Sequence, residues 1–265
     1  MQVRNPKLAF AEALPHWAPN REFAQITNAG SFSLPCVETY LMAVMNRAAR
    51  TLQDPRLNRD VALFTAQEGN HYRQHDVFNE TLYARYPGLK PIMDQLNADY
   101  RAMLKTESLL VNAAYCEGFE SLGLIYAEFM FEGCDDLMQD ADDRLVRLWK
   151  WHLAEEFEHR TVCYDVHKAL GGGYVSRMKG FFRAAKHLGK FGMDASTYML
   201  SVDRESMSAA EREASIAREA AHRKRFNAFA MPRLFTIVLP GYDPRKKREF
   251  RGIPELLASV PLAAE

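Results

Sequence analysis

Two segments, Glu68–His71 and Glu156–His159, carry the same Glu-x-x-His pattern in the middle of stretches whose apolar residues recur every three or four positions. Val61, Phe64, Glu68, His71, His75, Phe78 and Leu82 form one stripe. Leu145, Leu148, His152, Glu155 or Glu156, His159, Cys163, Val166 and Leu170 form the other. A helix with this period turns one face to a core, so Glu and His sit where aliphatic side chains belong. Leaving a buried polar group unpaired costs roughly 2–7 kcal/mol, and a charge costs more.

Two further stripes have the same character. One runs Leu34, Glu38, Leu41, Met45, Ala48, Leu52. The other runs Leu96, Tyr100, Met103, Glu107, Leu110, Ala114, Glu117, then Glu120 or Ser121, then Leu124. Four inward faces that are acidic or imidazole-bearing at mid-height need a shared counter-charge, and metal cations supply one. At i, i+3 a Glu and a His lie one turn apart on the same face and can grip one ion. Two such motifs, joined by one Glu from each of two other helices, make the constellation of di-iron and di-manganese carboxylate bundles.

The expected fold is therefore all-α, a ferritin-like four-helix bundle with additional C-terminal helices. Punctuation by Pro, Gly and capping residues predicts helices over about 35–52, 58–83, 91–131 and 141–170, a basic helix over 174–190 and a charged helix over 203–227. Residues 1–30 read as an extended arm, 31–172 as the metal-binding bundle and 173–265 as a helical extension packed on it. Ile237-Val238-Leu239 is the one β-flavoured run, too short for a sheet.

The expected metal residues are Glu38, Glu68, His71, Glu117, Glu156 and His159. Glu117 is preferred to Glu120, and Glu156 to Glu155. His75 and His152, each one turn from a motif, are either further ligands or hydrogen-bonding supports. Glu155 and Glu158 are the candidate general bases for hydrolysis.

Lys+Arg and Asp+Glu both total 34, so nothing in the charge balance calls for nucleic acid. Cys36, Cys116, Cys134 and Cys163 form no CxxC pair and read as free thiols of a reducing compartment. The first twenty residues hold Pro6, Pro15 and Pro19 and no apolar core of a signal peptide. No apolar run approaches the roughly 20 residues of a membrane span, and a cytoplasmic location is expected. The basic helix 174–190 is amphipathic, and packing on the domain is preferred to contact with a membrane surface.

The segments Leu34-Pro35-Cys36-Val37-Glu38, Gln67-Glu68-Gly69-Asn70-His71-Tyr72-Arg73-Gln74-His75, Trp151-His152-Leu153-Ala154-Glu155-Glu156-Phe157-Glu158-His159-Arg160 and Pro240-Gly241-Tyr242-Asp243-Pro244 resemble a bacterial family labelled "predicted metal-dependent hydrolase", which is similar to ferritin-like di-iron proteins. The resemblance covers about residues 30–250 and implies the metal residues named above, with His75 and His152 also within its motifs. Cys163 departs from it, standing where a small residue such as alanine is expected.

Two reactions compete. The first is oxidation or hydroxylation of a small organic molecule, such as an aromatic acid, by a di-iron oxygenase that draws on dioxygen and an electron donor. Its pocket would involve Phe64, Tyr72, Phe119 and Tyr164. The second is hydrolysis through a metal-activated water, with manganese or zinc as alternatives to iron. Iron storage is a third, non-enzymatic reading, and a homodimer is the assembly considered.

Overall fold

The computed structural model describes residues 1–263. They form an all-α protein of ten helices, with one isolated antiparallel bridge between Arg4 and Leu262 and no strand among them. The helices are α1 (Arg21–Ala49), α2 (Pro55–Arg85), α3 (Leu89–Thr106), α4 (Leu109–Glu132), α5 (Asp135–Met138), α6 (Asp143–His159), α7 (Val162–Ala169), α8 (Tyr174–Glu205), α9 (Ala209–Ile237) and α10 (Ile253–Ser259).

The first helix starts well before Pro35. Asn20 caps it, accepting from the Phe23 amide, and the expected arm through residue 30 ends there. Pro35 thus lies inside α1, where proline removes the amide that would serve the carbonyl of Ser31. Asn79 of α2 takes over that carbonyl, its Nδ2 donating to Ser31 O at 2.9 Å. A tertiary hydrogen bond thus offsets the local cost, which a rule placing proline in the first turn cannot anticipate.

The expected third helix is two. The chain turns extended at Glu107, Ser108 caps α4, and Asn112 ties the carbonyls of Met103, Glu107 and Ser108 together. The expected fourth helix breaks at Arg160–Thr161 into α6 and α7. α8 runs on to Glu205, past the expected end at Lys190. Ser208 and Glu211 form a capping box that starts α9 after Asp203, and α9 carries Pro232 and Ile237 within it.

α1, α2, α4 and α6 surround the polar centre. α8 lies tight on α4: a Cβ on Gly180 would fall 2.1 Å from Ala114 O, and one on Gly118 would fall 2.7 Å from Phe181 Cα. Phe181, Ala184 and Phe191 bury the inner face of α8, while Val175, Phe182 and Met193 stay exposed. No helix among the described residues is long and apolar enough to cross a membrane.

Residues 1–8 run along the outer side of α2. Gln67 Nε2 donates to Gln2 O, Asn70 Nδ2 to Arg4 O, and the Leu8 amide to Gln74 Oε1. Glu68, His71 and His75 alternate with these anchors and are fully buried in the bundle.

Candidate metal centre

Two groups of metal-competent side chains lie at the middle of the bundle. Glu38, His71 and His152 form one, and Glu68, Glu120, Glu156 and His159 the other; within each, one ligand atom per residue lies within 4.8 Å of the rest. All seven residues are buried, none more than 3% exposed. Two carboxylates join the groups. Glu156 Oε1 is 2.9 Å from His152 Nε2 and 3.7 Å from His71 Nδ1, while its Oε2 is 3.4 Å from His159 Nε2. Glu68 Oε1 is 3.3 Å from His159 Nε2, and its Oε2 is 3.9 Å from His71 Nδ1. The two Glu-x-x-His motifs thus supply the shared carboxylates.

The fit to cations is tested by what these atoms lack. Both oxygens of Glu38 and of Glu68, Glu120 Oε1, Glu156 Oε2, His71 Nδ1 and His159 Nε2 are buried with no hydrogen-bond partner among the described residues. Isolated orphans of this kind are costly. This many at one point are resolved together by positive charge and open coordination.

The imidazoles are oriented to suit. His71 Nε2 is 3.0 Å from Glu155 Oε2, and His159 Nδ1 is 3.1 Å from Gln67 Oε1. His152 Nδ1 is 2.8 Å from His75 Nε2, and His75 Nδ1 is 2.8 Å from Ser31 Oγ. Ser31 Oγ donates in turn to Asn79 Oδ1, whose amide is fixed by the bond to Ser31 O. Each hydrogen is best placed on the nitrogen that faces outward, assigned from this network. That leaves His71 Nδ1, His152 Nε2 and His159 Nε2 turned inward with free lone pairs. Edge-on aromatic rings pack around them, Trp151 at 5.0 Å from His71 and Phe64 at 4.8 Å from His159.

The electrostatics show the same tension. Burial, with Glu156 nearby, pushes the carboxyls of Glu38 and Glu68 well above their ordinary range and that of Glu120 up to about 8. Burial, helped by His152, pulls His71 well down. Burial also opposes charge on His159 and Glu156, yet their mutual attraction wins, raising the imidazole and lowering the carboxyl.

Of the expected metal residues, Glu38, Glu68, His71, His152, Glu156 and His159 are brought together. Glu117 is not. It turns to the α8 side, where its Oε1 accepts from Ser121 Oγ at 3.0 Å and lies 3.7 Å from Arg177 Nη1, and Glu120 takes the place at the cluster. α4 is buried on nearly every side through this stretch, so periodicity had no basis for choosing between them. His75 stands behind His152 as its support.

The two expected bases also face away. Glu155 is held between His71 and Arg4, whose Nη1 is 3.2 Å from its Oε1. Glu158 accepts from Arg4, Gln67 and the Gln2 amide at the protein's edge. Arg4 and Gln67, which hold these carboxylates, were not singled out by sequence because Arg4 lies on an irregular segment and Gln67 stands one residue off the Glu68–His71–His75 stripe. Cys163 is buried, and its thiol lies 3.9 Å from Met45 Sδ.

A family model described as "Predicted metal-dependent hydrolase" matches residues 2–248. No curated protein and no solved structure matches the chain significantly. With nearly the whole sequence spanned, the chain belongs to the predicted metal-dependent hydrolase family.

Proposed function

We propose that the protein is a hydrolase that works through two metal ions held between α1, α2, α4 and α6. The observation that carries this reading is the convergence of buried, unpartnered Glu and His atoms in two groups joined by Glu68 and Glu156. Glu38, His71 and His152 would hold one ion, Glu120 and His159 the other, with Glu68 and Glu156 shared. Bound metal of this kind supplies Lewis acidity and makes coordinated water a better nucleophile at neutral pH.

The chain's own residues set the conditions. Four carboxylates balance two divalent cations, and the imidazoles bind neutral. Glu155, Gln67 and His75 fix the rings. Glu155 and Glu158 are committed to Arg4 and do not serve as bases.

The test is metal analysis of protein purified without added metal, followed by assay of carboxylic and phosphoric esters in the absence of oxygen. Two zinc or manganese ions per chain with anaerobic turnover support the reading. Activity that demands iron and a reductant rejects it.

One observation favours oxygen chemistry as a second reading. The ligand set is deeply buried in the bundle, with Trp151 and Phe64 packed edge-on to His71 and His159, which suits a gas as co-substrate and a di-iron pair as the metal. Silence of the anaerobically reduced, iron-loaded protein on addition of oxygen rejects it.

A further inference from the structure

Glycine is a poor helix residue, so each one inside a helix needs a reason. At Gly118 and Gly180 the reason is close packing, since a Cβ there would run into the backbone of the facing helix. Gly123 of α4 has no such reason. A Cβ there would meet a single atom within 4 Å, Glu156 Oε2, at an ordinary contact distance of 3.6 Å. Open space therefore adjoins a buried oxygen that has no hydrogen-bond partner and faces the candidate metals.

The adjoining positions are the least buried part of this stretch of α4. Between Asn112 and Phe131, α4 is buried at every position except Phe119, Leu122, Gly123 and Tyr126. At spacings of three and four these share one helix face. The face bears no charge, and the Tyr126 hydroxyl is turned aside to donate to Thr27 Oγ1 at 3.1 Å.

We propose that this strip of α4 is the mouth of the centre, that Gly123 keeps it open, and that the substrate it admits is a small, uncharged, apolar or aromatic molecule. This rests on the metal reading above and names the substrate class for it. A hydrophobic entrance with few polar groups selects by shape and desolvation, and the metals then provide the polar end of the site.

The test uses cobalt(II)-loaded protein and the rate at which azide, entering as its small neutral conjugate acid, perturbs the visible spectrum. Gly123→Leu is expected to load cobalt normally and to slow azide entry about tenfold or more. Gly123→Ala, which the 3.6 Å clearance accommodates, is expected to fold at least as stably and to slow entry less. Gly189→Leu on α8, where a Cβ would meet nothing within 4 Å, is the control and leaves the rate unchanged. Toluene should slow azide entry in the wild type.

Xenon pressurisation of metal-free crystals gives a second readout, with an atom expected beside Gly123 and Tyr126 in the wild type and none in Gly123→Leu. Azide entering both Gly123 variants at the wild-type rate, or xenon absent from this strip in the wild type, overturns the proposal. Failure of the wild type to bind cobalt would instead overturn the metal reading, and the xenon result would still decide this one.

Discussion

Glu155 Oε2 lies 3.0 Å from His71 Nε2, on the side of the ring away from the cluster, and the other oxygen of the same carboxylate is engaged by Arg4. The pairing holds His71 with Nδ1 inward. It also makes an arginine near the start of the chain part of the support for the centre. Burial pushes the Glu155 carboxyl up to about 7 even against Arg4, so loss of that arginine would favour its neutral form.

Replacing Glu155 by Gln, or Arg4 by Ala, is expected to weaken metal binding by roughly 10–100-fold while leaving all seven cluster residues in place. Competition with a chelator of known affinity measures it. Wild-type affinity in both variants would show that the outer carboxylate does not position His71.

Glu120 and Glu117 sit one turn apart on α4, and only Glu120 reaches the cluster. Glu120→Gln should lower metal content from about two ions per chain towards one, and Glu117→Gln should leave it unchanged. Elemental analysis of the two purified variants decides between them. The reverse result would restore Glu117 as the ligand.

Asn79 and Pro35 should be energetically coupled. Asn79→Ala leaves the Ser31 carbonyl without a partner and is expected to cost about 1–3 kcal/mol. Once Pro35→Ala restores an amide at that position, the same substitution should cost less, giving a coupling of about 1 kcal/mol in a double-mutant cycle. Chemical denaturation of the four proteins measures it, and additive losses would mean that Asn79 does not serve the carbonyl freed by proline.

Acid stability should depend on Asp203. Burial would raise its carboxyl, but hydrogen bonds from His16, Tyr86 and Gln25 lower it below the ordinary value. A depressed folded-state pKa means that its contribution is complete above the unfolded value, near 3.9, and is lost as pH falls through the folded one. Asp203→Asn is expected to cost about 2 kcal/mol at neutral pH and to flatten the decline of stability below about pH 4. Melting temperatures across pH 3–7 (roughly the window set by these values) test this, and parallel curves for the two proteins would contradict it.

The repeated Glu-x-x-His pattern and its apolar flanks were legible because α2 and α6 are amphipathic, each with an inner face distinct from its outer one. The same logic placed Glu38. On α4 it preferred Glu117 where the cluster holds Glu120, because Glu117, Glu120, Ser121 and Leu124 are all buried and burial alone does not set the phase. It started α1 late, because Pro35 looks like a first-turn proline and its compensation comes from Asn79, forty-four positions later by the numbering. It assigned Glu155 and Glu158 to proton transfer because the partner that occupies them, Arg4, comes from an irregular segment whose path no periodicity reveals. Local patterns report which side of a helix is buried, and only tertiary pairing reports which neighbour is met there.

The pairing of residues 3–5 with residues 257–263 makes the outer support of the centre a long-range one. The amide of Asn5 bonds to Pro261 O, that of Ala263 to Val3 O, and Arg4 Nε to Leu257 O. Until residues 257–263 have been made, Arg4 Nε and the backbone on either side of it lack these partners. The brace on Glu155 therefore gains its full backing only from a segment synthesised well after every residue of the cluster.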